Sequence, residues 1–355
     1  MPRILNTEVP DTLVRIRDPD SLRVPGLPLV TIVSVVRNAE ATLEHAIQSL
    51  RAQTYPSIEH VIIDGASRDG TQDIIQSHLD WVAAWSSQPD DGLYDAMNKG
   101  IASANGDIIG ILNADDWFEP DFIEKSINTI VASTADFVFG NIWMHGYRGQ
   151  DLYLAGDPEY AKVVRRDVPA TWHPTMMCKR KMYEQLGLYR TDMKVASDYD
   201  FQIRAFNAGF MGVYAQEAVA HVAAGGVSTT AQHTALREGF LCSVWNGYPV
   251  WKALPHWTHR WIATDYPSVN HRIHSFKCRV KILREKMAGY SKRAWDTLGP
   301  LKPYIPGKKI GMKILGIPPA APLTDNAIHT DGAMNPIPAD NELQGAHGHA
   351  QEHTE

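Results

Sequence analysis

The chain has 355 residues, 44% of them hydrophobic, which is enough to bury at least one sizeable core. Its formal net charge of -6 provides no general attraction to phosphates, so no nucleic-acid partner is expected. The three cysteines are far apart in the sequence, which argues against a disulfide framework or a zinc cluster and fits a reducing compartment.

Neither a signal peptide nor a membrane span is predicted. Residues 1–27 are polar, contain Pro10 and Pro25, and lack a continuous apolar segment. No uninterrupted apolar run approaches the roughly 20 residues that a membrane-spanning helix needs. We therefore expect a cytoplasmic protein in which residues 1–27 form a leader on the surface.

Strands and helices are predicted to alternate from residue 28 onward. Residues 29–36 (LVTIVSVV) are nearly all apolar and rich in β-branched side chains, as in a strand buried on both faces. Similar patterns predict helices at 43–50, 71–79, 94–103 and 122–131 and strands at 60–63, 81–85, 107–112 and 135–139. This alternation indicates an α/β fold with a doubly wound, mostly parallel sheet flanked by helices, whose ligands bind at the carboxyl ends of the strands.

The pattern is less regular after residue 141, although a further helix is predicted at 198–207. Residues 231–317 are expected to form a mainly helical C-terminal extension. Residues 318–355 contain six acids and no Lys or Arg, and this acidic, His-containing tail is expected to be disordered.

The second half of the extension is strongly basic. Twelve Lys or Arg lie between Arg272 and Lys313, against two acids. Two interpretations of residues 272–317 stay open: peripheral contact with the inner face of an anionic membrane, or a solvated helix face packed on the α/β domain.

The segment ILNADDW contains the strongest cluster of polar residues. A predicted buried strand ends in Asn113, Asp115 and Asp116, at the edge where ligands are expected. Adjacent carboxylates suit Mg2+ or Mn2+, which would stabilise the negative charge on a departing nucleoside diphosphate. The alternative is that Asp115 or Asp116 caps the next turn.

A second cluster lies in IIDGASRDGT, again at the end of a strand. Asp64 is expected to leave the sheet with a free carboxylate that accepts a hydrogen bond from a nucleobase or a ribose hydroxyl. The alternative is helix capping, since Ser67, Asp69 and Thr71 are all good N-cap residues.

A third cluster, QPDDGLYDAMNKG, leads from a turn into a helix. Lys99 is suited to neutralise a diphosphate, and Asp90, Asp95 and Asn98 are candidates to contact a nucleotide or a sugar. A structural role stays open for each of them, because acids in the first turn of a helix are also stabilised by the helix dipole.

These clusters resemble glycosyltransferase family 2 of the GT-A fold. The resemblance covers residues 29–230 and rests on VTIVSVVRNAEATLEHAIQSLRAQTYPSIEHVIIDGASRDGT and LYDAMNKGIASANGDIIGILNADD. It implies a GT-A catalytic domain over residues 28–230 and an inverting enzyme. That enzyme would use Mg2+ or Mn2+ to move a sugar from a nucleotide sugar, commonly a UDP- or dTDP-sugar, to a saccharide or lipid-linked acceptor.

The resemblance also implies roles for individual residues on the donor side. The residues that would hold the nucleotide are Val35, Arg37 and Asp64. Asp115 would bind the metal, with Asp116 as a second ligand or, like Asn113, a neighbour of the ribose or diphosphate. Asn113 stands where the family more often has Asp, which removes a charge beside the cation. Near the turn HVAAGGVST, His221 and Ser228 are further candidates for the metal or diphosphate site.

On the acceptor side, the resemblance points to VASDYDFQIRAF. Asp198 is the candidate base that takes the proton from the acceptor hydroxyl as it attacks the anomeric carbon. Ser197 stands where the family usually has an acid, Asp200 is the alternative base, and an N-cap role for Ser197 or Asp198 stays open. His173 resembles a position that lines the acceptor side, with a purely structural histidine as the alternative.

Two other functions stay open. A sugar nucleotidyltransferase is disfavoured, because the first strand is followed by RNAEAT and not by a Gly-rich loop that would hold a triphosphate. A carbohydrate- or nucleotide-sugar-binding protein with little or no catalysis is motivated by Asn113 and Ser197, each of which replaces an acid.

Overall fold

The computed structural model describes residues 8–147, 149–169, 171–226 and 230–265. The strands are β1 (Val14–Arg15), β2 (Val30–Val36), β3 (Ile58–Asp64), β4 (Ala84–Ser87), β5 (Ile108–Asn113), β6 (Trp117–Phe118), β7 (Phe137–Tyr147), β8 (Gln150–Leu154), β9 (Met177–Lys179) and β10 (Gly212–Ala223). The helices are α1 (Leu43–Arg51), α2 (Thr71–Ser77), α3 (Leu93–Ser103), α4 (Phe122–Val131), α5 (Arg180–Leu186), α6 (Ser197–Asn207), α7 (Gln232–Trp245) and α8 (Val250–Asp265). The predictions for Ser228, for the basic segment 272–317 and for the tail 318–355 lie outside the described residues.

The strands form one sheet in the order β1-β4-β3-β2-β5-β9-β7-β10-β6, with β8 added to β7. Strands β4, β3, β2 and β5 run parallel, as do β7 and β10. The short strand β9 is antiparallel to both β5 and β7 and joins the two parallel blocks. The predicted α/β fold, a sheet flanked by helices, is confirmed, and antiparallel pairs at β9 and at the edges make the sheet mixed.

Helices cover both faces of the sheet because successive side chains of a strand point to opposite sides. Val33 and Val35 of β2 share a core with Met97 of α3. Val30 and Ile32 lie in a second core, which contains residues of α1 and α4. Burial on both faces explains why β2 is almost uniformly apolar.

The helices α7 and α8 pack on the same core as the strands. Trp257 of α8 is 4% exposed, and its ring centroid lies 6.2 Å from that of Tyr199 in α6. A Cβ atom on Gly239 of α7 would overlap the Trp257 ring, so glycine allows the two helices to approach closely. The described part of the predicted C-terminal extension is therefore helical and is anchored beside α6.

The leader is attached along one edge of the sheet. Strand β1 pairs with β4, and Arg15 binds the buried carboxylate of Glu59 at 2.8 Å and the Ser103 carbonyl oxygen at 2.8 Å. These contacts hold the described part of the leader on the surface of the sheet.

Candidate active site

The turn after β5 contains one acid that is bonded within the fold. Asp116 is 3% exposed, and its carboxylate accepts hydrogen bonds from Asn113 Nδ2 at 2.9 Å and from the Ala223 backbone at 3.2 Å. Burial, together with the charge of Asp115, raises the pKa of Asp116 to about 7. One oxygen of Asp116 is bonded to Asn113 at the end of β5 and the other to β10, so this acid links neighbouring elements. Its role as a second metal ligand stays a prediction.

Asp115 is the open acid of the same turn. It is half-buried and forms no side-chain hydrogen bond or ion pair with any described residue. Asn113 Oδ1 is buried and has no hydrogen-bond partner among the residues that the structure describes. One free carboxylate and one free amide oxygen are suitable ligands for a hard cation.

The described ranges contain no group of three or more His, Cys, Asp or Glu side chains that could enclose a metal. Mg2+ is commonly bound by one or two carboxylates, with water and substrate phosphates completing its shell. The residues of the β5 turn therefore fit a cation shared with a diphosphate and do not fit a metal held by the protein alone.

Both ring nitrogens of His221, the weaker candidate for a metal ligand, are hydrogen-bonded within the fold. Its Nδ1 lies 2.9 Å from His145 Nε2, and its Nε2 lies 2.7 Å from Glu119 Oε1. The His221 ring also stacks on Trp117 at a centroid distance of 4.9 Å. Since both ring nitrogens are hydrogen-bonded, His221 is a structural link beside the β5 turn.

Asp64, at the end of β3, is bonded in the same way as Asp116. It is completely buried, and it accepts hydrogen bonds from the Ser67 backbone at 3.1 and 3.2 Å, from Ser67 Oγ and from Ser87 Oγ at 2.6 Å. The expected free carboxylate is therefore absent at Asp64. This residue shapes the loop after β3 and ties it to β4.

The loops after β2, β3 and β4 converge at Gly65. A Cβ atom on Gly65 would overlap Asp90 Oδ2 and would lie 3.3 Å from Arg37 Cδ. Arg37 is exposed and has no ion-pair partner within the described part of the chain, and Asp90 accepts a hydrogen bond from the Gly92 backbone at 3.0 Å. Val35 is 6% exposed and belongs to the core beneath these loops.

Three predicted ligands on α3 are already bonded within the protein. Asn98 is 2% exposed, and its amide bonds the backbone N–H and carbonyl oxygen of Tyr189 at 2.9 and 2.8 Å. Lys99 Nζ lies 2.8 Å from Asp95 Oδ2 and 3.3 Å from the Pro89 carbonyl oxygen. These bonds tie Asn98, Lys99 and Asp95 to one another and to the backbone, and their roles in donor binding stay predictions.

Asp198 lies in the first turn of α6 and keeps one oxygen open. The Tyr94 hydroxyl lies 3.0 Å from Asp198 Oδ1 and 2.6 Å from the Val195 carbonyl oxygen. Asp198 Oδ2 accepts no hydrogen bond from the described residues, and the side chain is half-buried. The N-cap position is Ala196, without a side-chain capping bond, so neither Ser197 nor Asp198 caps the helix.

Asp200, the alternative base, is hydrogen-bonded to other residues of the fold. It is 2% exposed and binds Arg204 Nε at 2.8 Å and Asn246 Nδ2 at 2.8 Å. Both carboxylate oxygens are occupied, so Asp200 is not a candidate base in this arrangement.

Two positioning residues were not found from the sequence. Tyr94 is part of the LYDAMNKG segment, but no local pattern connects it with Asp198, which is 104 positions away. Glu238 of α7 accepts hydrogen bonds from three successive backbone N–H groups, those of Lys194, Val195 and Ala196, at 2.8 to 3.0 Å. Glu238 thereby fixes the loop that leads into the first turn of α6.

His173 lies near the same acid. Its Nε2 is 3.1 Å from the Tyr189 hydroxyl, and burial lowers the pKa of His173, an effect that the negative charge of Asp198 partly opposes. The structure thus brings His173, Tyr94 and Asp198 into one neighbourhood in which burial lowers the pKa of the histidine.

The fold and the two open acids can now be compared with known proteins. Residues 31–187 match the model of Glycosyl transferase family 2. We call this matched region the family 2 domain, after the family to which it is similar. The match begins in β2 and ends just after α5, so this family 2 domain includes the β5 turn, whereas Asp198 lies beyond the matched residues.

Relatives of the family 2 domain include two mycobacterial proteins. An uncharacterized glycosyltransferase of Mycobacterium tuberculosis (strain CDC 1551) is 29% identical over 180 residues, which are 50% of this chain and 69% of that protein. A PGL/p-HBAD biosynthesis glycosyltransferase of Mycobacterium bovis (strain BCG) is 29% identical over 186 residues, 51% of this chain and 70% of that protein.

Two solved structures share the GT-A fold of the family 2 domain. The mannosyltransferase PcManGT from Pyrobaculum calidifontis, solved in complex with GDP-Man and Mn2+, superposes with a TM-score of 0.51 at 19% identity over 79% of this chain and 85% of that one. TarS of S. aureus superposes with a TM-score of 0.50 at 16% identity over 66% of this chain and 44% of that one. At such identities the likeness establishes the fold.

Proposed function

We propose that this protein is an inverting glycosyltransferase that moves a sugar from a UDP- or dTDP-sugar to an acceptor hydroxyl. The observation that carries the proposal is the contrast among its acids: Asp115 and Asp198 keep open oxygens, whereas Asp64, Asp116 and Asp200 are bonded within the fold. The family 2 domain supports sugar transfer in general, and the two open acids suit the donor and the acceptor side respectively.

The donor would lie against the loops after β2, β3 and β5. The exposed guanidinium of Arg37 is suited to bind the diphosphate, because a planar guanidinium forms paired hydrogen bonds with phosphate oxygens. Asp90 can accept hydrogen bonds from hydroxyls of the ribose or the sugar, and Gly65 keeps this region free of a side chain.

Asp115, with Asn113 Oδ1 nearby in the same turn, would hold Mg2+ or Mn2+ together with diphosphate oxygens. When bound, such a cation acts as a Lewis acid that stabilises the negative charge on the leaving diphosphate. The proposal of a metal is in keeping with PcManGT, which shares the fold and was solved with GDP-Man and Mn2+.

Asp198 would act as the general base. Its Oδ2 accepts the proton of the acceptor hydroxyl while the acceptor oxygen forms a bond to the anomeric carbon. The bond between that carbon and the diphosphate oxygen breaks at the same time, and the nucleoside diphosphate leaves with the electron pair. A single displacement of this kind inverts the anomeric configuration.

Two neighbours would assist the base. The Tyr94 hydroxyl contacts Asp198 Oδ1, and Oδ2 accepts no hydrogen bond from the described residues. His173, whose pKa is lowered by burial, can line the acceptor side near the carboxylate. The acceptor would be a saccharide or lipid-linked hydroxyl used in the synthesis of a polysaccharide, glycolipid or other glycoconjugate at the cytoplasmic side of the membrane.

A donor-binding protein without turnover is the second candidate. It is favoured by one observation, the single open carboxylate of the β5 turn, where Asn113 contributes no charge and Asp116 is buried. Such a protein would bind nucleotide sugars but would release no nucleoside diphosphate.

The test is a donor screen with purified full-length chain. UDP-, dTDP- and GDP-sugars are incubated with Mn2+ and a panel of saccharide and lipid-linked acceptors, and release of nucleoside diphosphate is measured. We expect acceptor-stimulated release from a UDP- or dTDP-sugar that stops when the metal is chelated. Donor binding without release under any condition would establish the second candidate, and pyrophosphate release from a nucleoside triphosphate would indicate a nucleotidyltransferase.

A further inference from the structure

The helix α8 turns an apolar face toward solvent. Its large exposed side chains are Val250 (50% exposed), Trp251 (72%), Leu254 (54%), Trp261 (41%) and Ile262 (42%). A surface helix of a globular protein normally buries its apolar face and exposes its polar one. In α8 the charged residue Arg260 instead forms an ion pair with Asp167, on the side that faces the protein.

Helical geometry gathers these apolar residues into one arc. At 3.6 residues per turn, positions 250, 251, 254, 255, 258, 261 and 262 fall within about 140° of the helix circumference. Thr258 is the polar residue in this set, which we call the α8 apolar face. The side that faces the core contains Ala253 and Trp257, which are 0% and 4% exposed and anchor the helix.

The α8 apolar face is therefore presented by a helix that is fixed in the fold. Trp257 packs against Gly239 of α7 and lies near Tyr199 of α6, so rotation of α8 to bury its exposed tryptophans would break these contacts. A contiguous apolar surface of this kind marks a site of interaction with a membrane or another apolar surface.

The positive charges beside α8 and after it in the sequence favour a membrane as the partner of this face. Lys252 lies beside the face, with its Nζ 4.9 Å from the centre of the Trp251 ring. Soon after α8 ends at Asp265, the sequence from Arg272 to Lys313 contains twelve Lys or Arg against two acids. A helix with exposed tryptophans and aliphatic residues that is followed in the sequence by concentrated positive charge is typical of segments that bind the interface of anionic lipid bilayers.

We propose that α8 docks on an anionic lipid bilayer through the α8 apolar face, lying in the plane of the interface. The helix has 16 residues, and the described part of the chain contains no helix that is long and apolar enough to cross a membrane. The positive segment that follows in the sequence would add electrostatic attraction to acidic headgroups, at about 1 kcal/mol for each Lys or Arg near the surface. This inference does not depend on the proposed transfer reaction.

The experiment is co-sedimentation of the full-length chain with vesicles of phosphatidylcholine containing about 30% phosphatidylglycerol, an acidic lipid like those that attract basic segments. Trp251→Ser and Leu254→Ser should each preserve the melting temperature, since both side chains are exposed. Trp251→Ser should weaken vesicle binding by about tenfold or more, because burial of a large aromatic surface is lost. The matched control is Met211→Ser, which removes a side chain that is 56% exposed and far from α8 in the sequence, and it should bind as the wild type does.

High salt distinguishes the contribution of the α8 apolar face to vesicle binding from that of the basic segment. At about 0.5 M salt the electrostatic attraction is screened, so all proteins should bind more weakly while the ratio between wild type and Trp251→Ser persists. Equal vesicle binding by wild type and Trp251→Ser would overturn the proposal, as would absence of binding by the full chain. A wild-type dimer that Trp251→Ser converts to a monomer, without vesicle binding, would identify a second copy as the partner and would also overturn it.

Discussion

The β5 turn and the first turn of α6 each contain two acids, and in each the two acids have different environments. In the β5 turn, Asp116 is buried and hydrogen-bonded by Asn113 and Ala223, whereas Asp115 makes no bond to a described residue. In α6, the buried member is Asp200, which is bound by Arg204, and the open one is Asp198.

This parallel shows how an acidic motif divides into structural and functional parts. A buried carboxylate must be hydrogen-bonded to be stable, so Asp116 and Asp200 connect neighbouring elements. The structural acid then fixes the backbone on which the open acid is placed. If this account is correct, substitutions of the structural acids should change stability, and those of the open acids should change chemistry.

Asp198→Asn should have the largest effect on activity. Loss of the general base is expected to lower kcat by about 100-fold to 10,000-fold, with little change in the melting temperature. Steady-state kinetics and a thermal melt on the same preparation test this. Unchanged kcat would remove Asp198 from the chemistry.

Asp200→Asn should have the opposite outcome to Asp198→Asn, because its main effect should be on stability. Arg204, whose side chain is 15% exposed, would lose its charged partner, and removal of one member of a buried ion pair costs about 3 to 5 kcal/mol. Urea denaturation should show this loss of unfolding free energy. If the variant were as stable as the wild type and inactive, Asp200 and not Asp198 would be the better candidate for the base.

Tyr94→Phe should have an intermediate effect, because it removes the hydroxyl that holds Asp198 and keeps the ring. A hydrogen bond to a charged group contributes about 1.5 to 3 kcal/mol, so we expect kcat to fall by about tenfold or more. The pH profile of kcat should shift as well, which a purely structural role would not produce. An unaltered profile with normal kcat would exclude a positioning role for Tyr94.

His173→Gln should have the smallest effect. Burial lowers the pKa of His173, so the folded protein disfavours the protonated ring, and the unfolded chain binds more protons below about pH 6.5. The contribution of His173 to the free energy of unfolding is therefore fully present above that pH and is lost as the pH falls. Melts across this range should show a weaker acid dependence for the variant, and identical curves would contradict the burial argument.

Much of the fold could be predicted from the sequence because the spacing of hydrophobic residues depends only on the helix or strand that contains them. The helix predicted at 122–131 and the strand predicted at 29–36 match α4 and β2 closely. The strand predicted at 81–85 begins later, at Ala84, because Trp81 closes a turn with the His78 carbonyl oxygen. Strand β9 has three residues, too few for a period to be recognised, although it joins the two parallel blocks.

The sequence predicted which types of residue occur at the candidate site. It could not predict which of their polar groups are free to bind a ligand. Asp64 ends β3 as expected, and Asn98 and Lys99 lie on the expected helix, yet Asp64 is hydrogen-bonded by Ser87, Asn98 by Tyr189 and Lys99 by Asp95. Most of these contacts join residues distant in the sequence, which no local motif encodes. The same reason explains why Tyr94 and Glu238 were not found.

Calorimetric titration of a UDP- or dTDP-sugar into wild type, Asp115→Asn and Asp116→Asn, with and without Mn2+, tests the central claim most directly. The account predicts that Mn2+ strengthens donor binding to the wild type and to Asp116→Asn, and that Asp115→Asn loses this dependence. Metal-dependent binding that is retained in Asp115→Asn would contradict it.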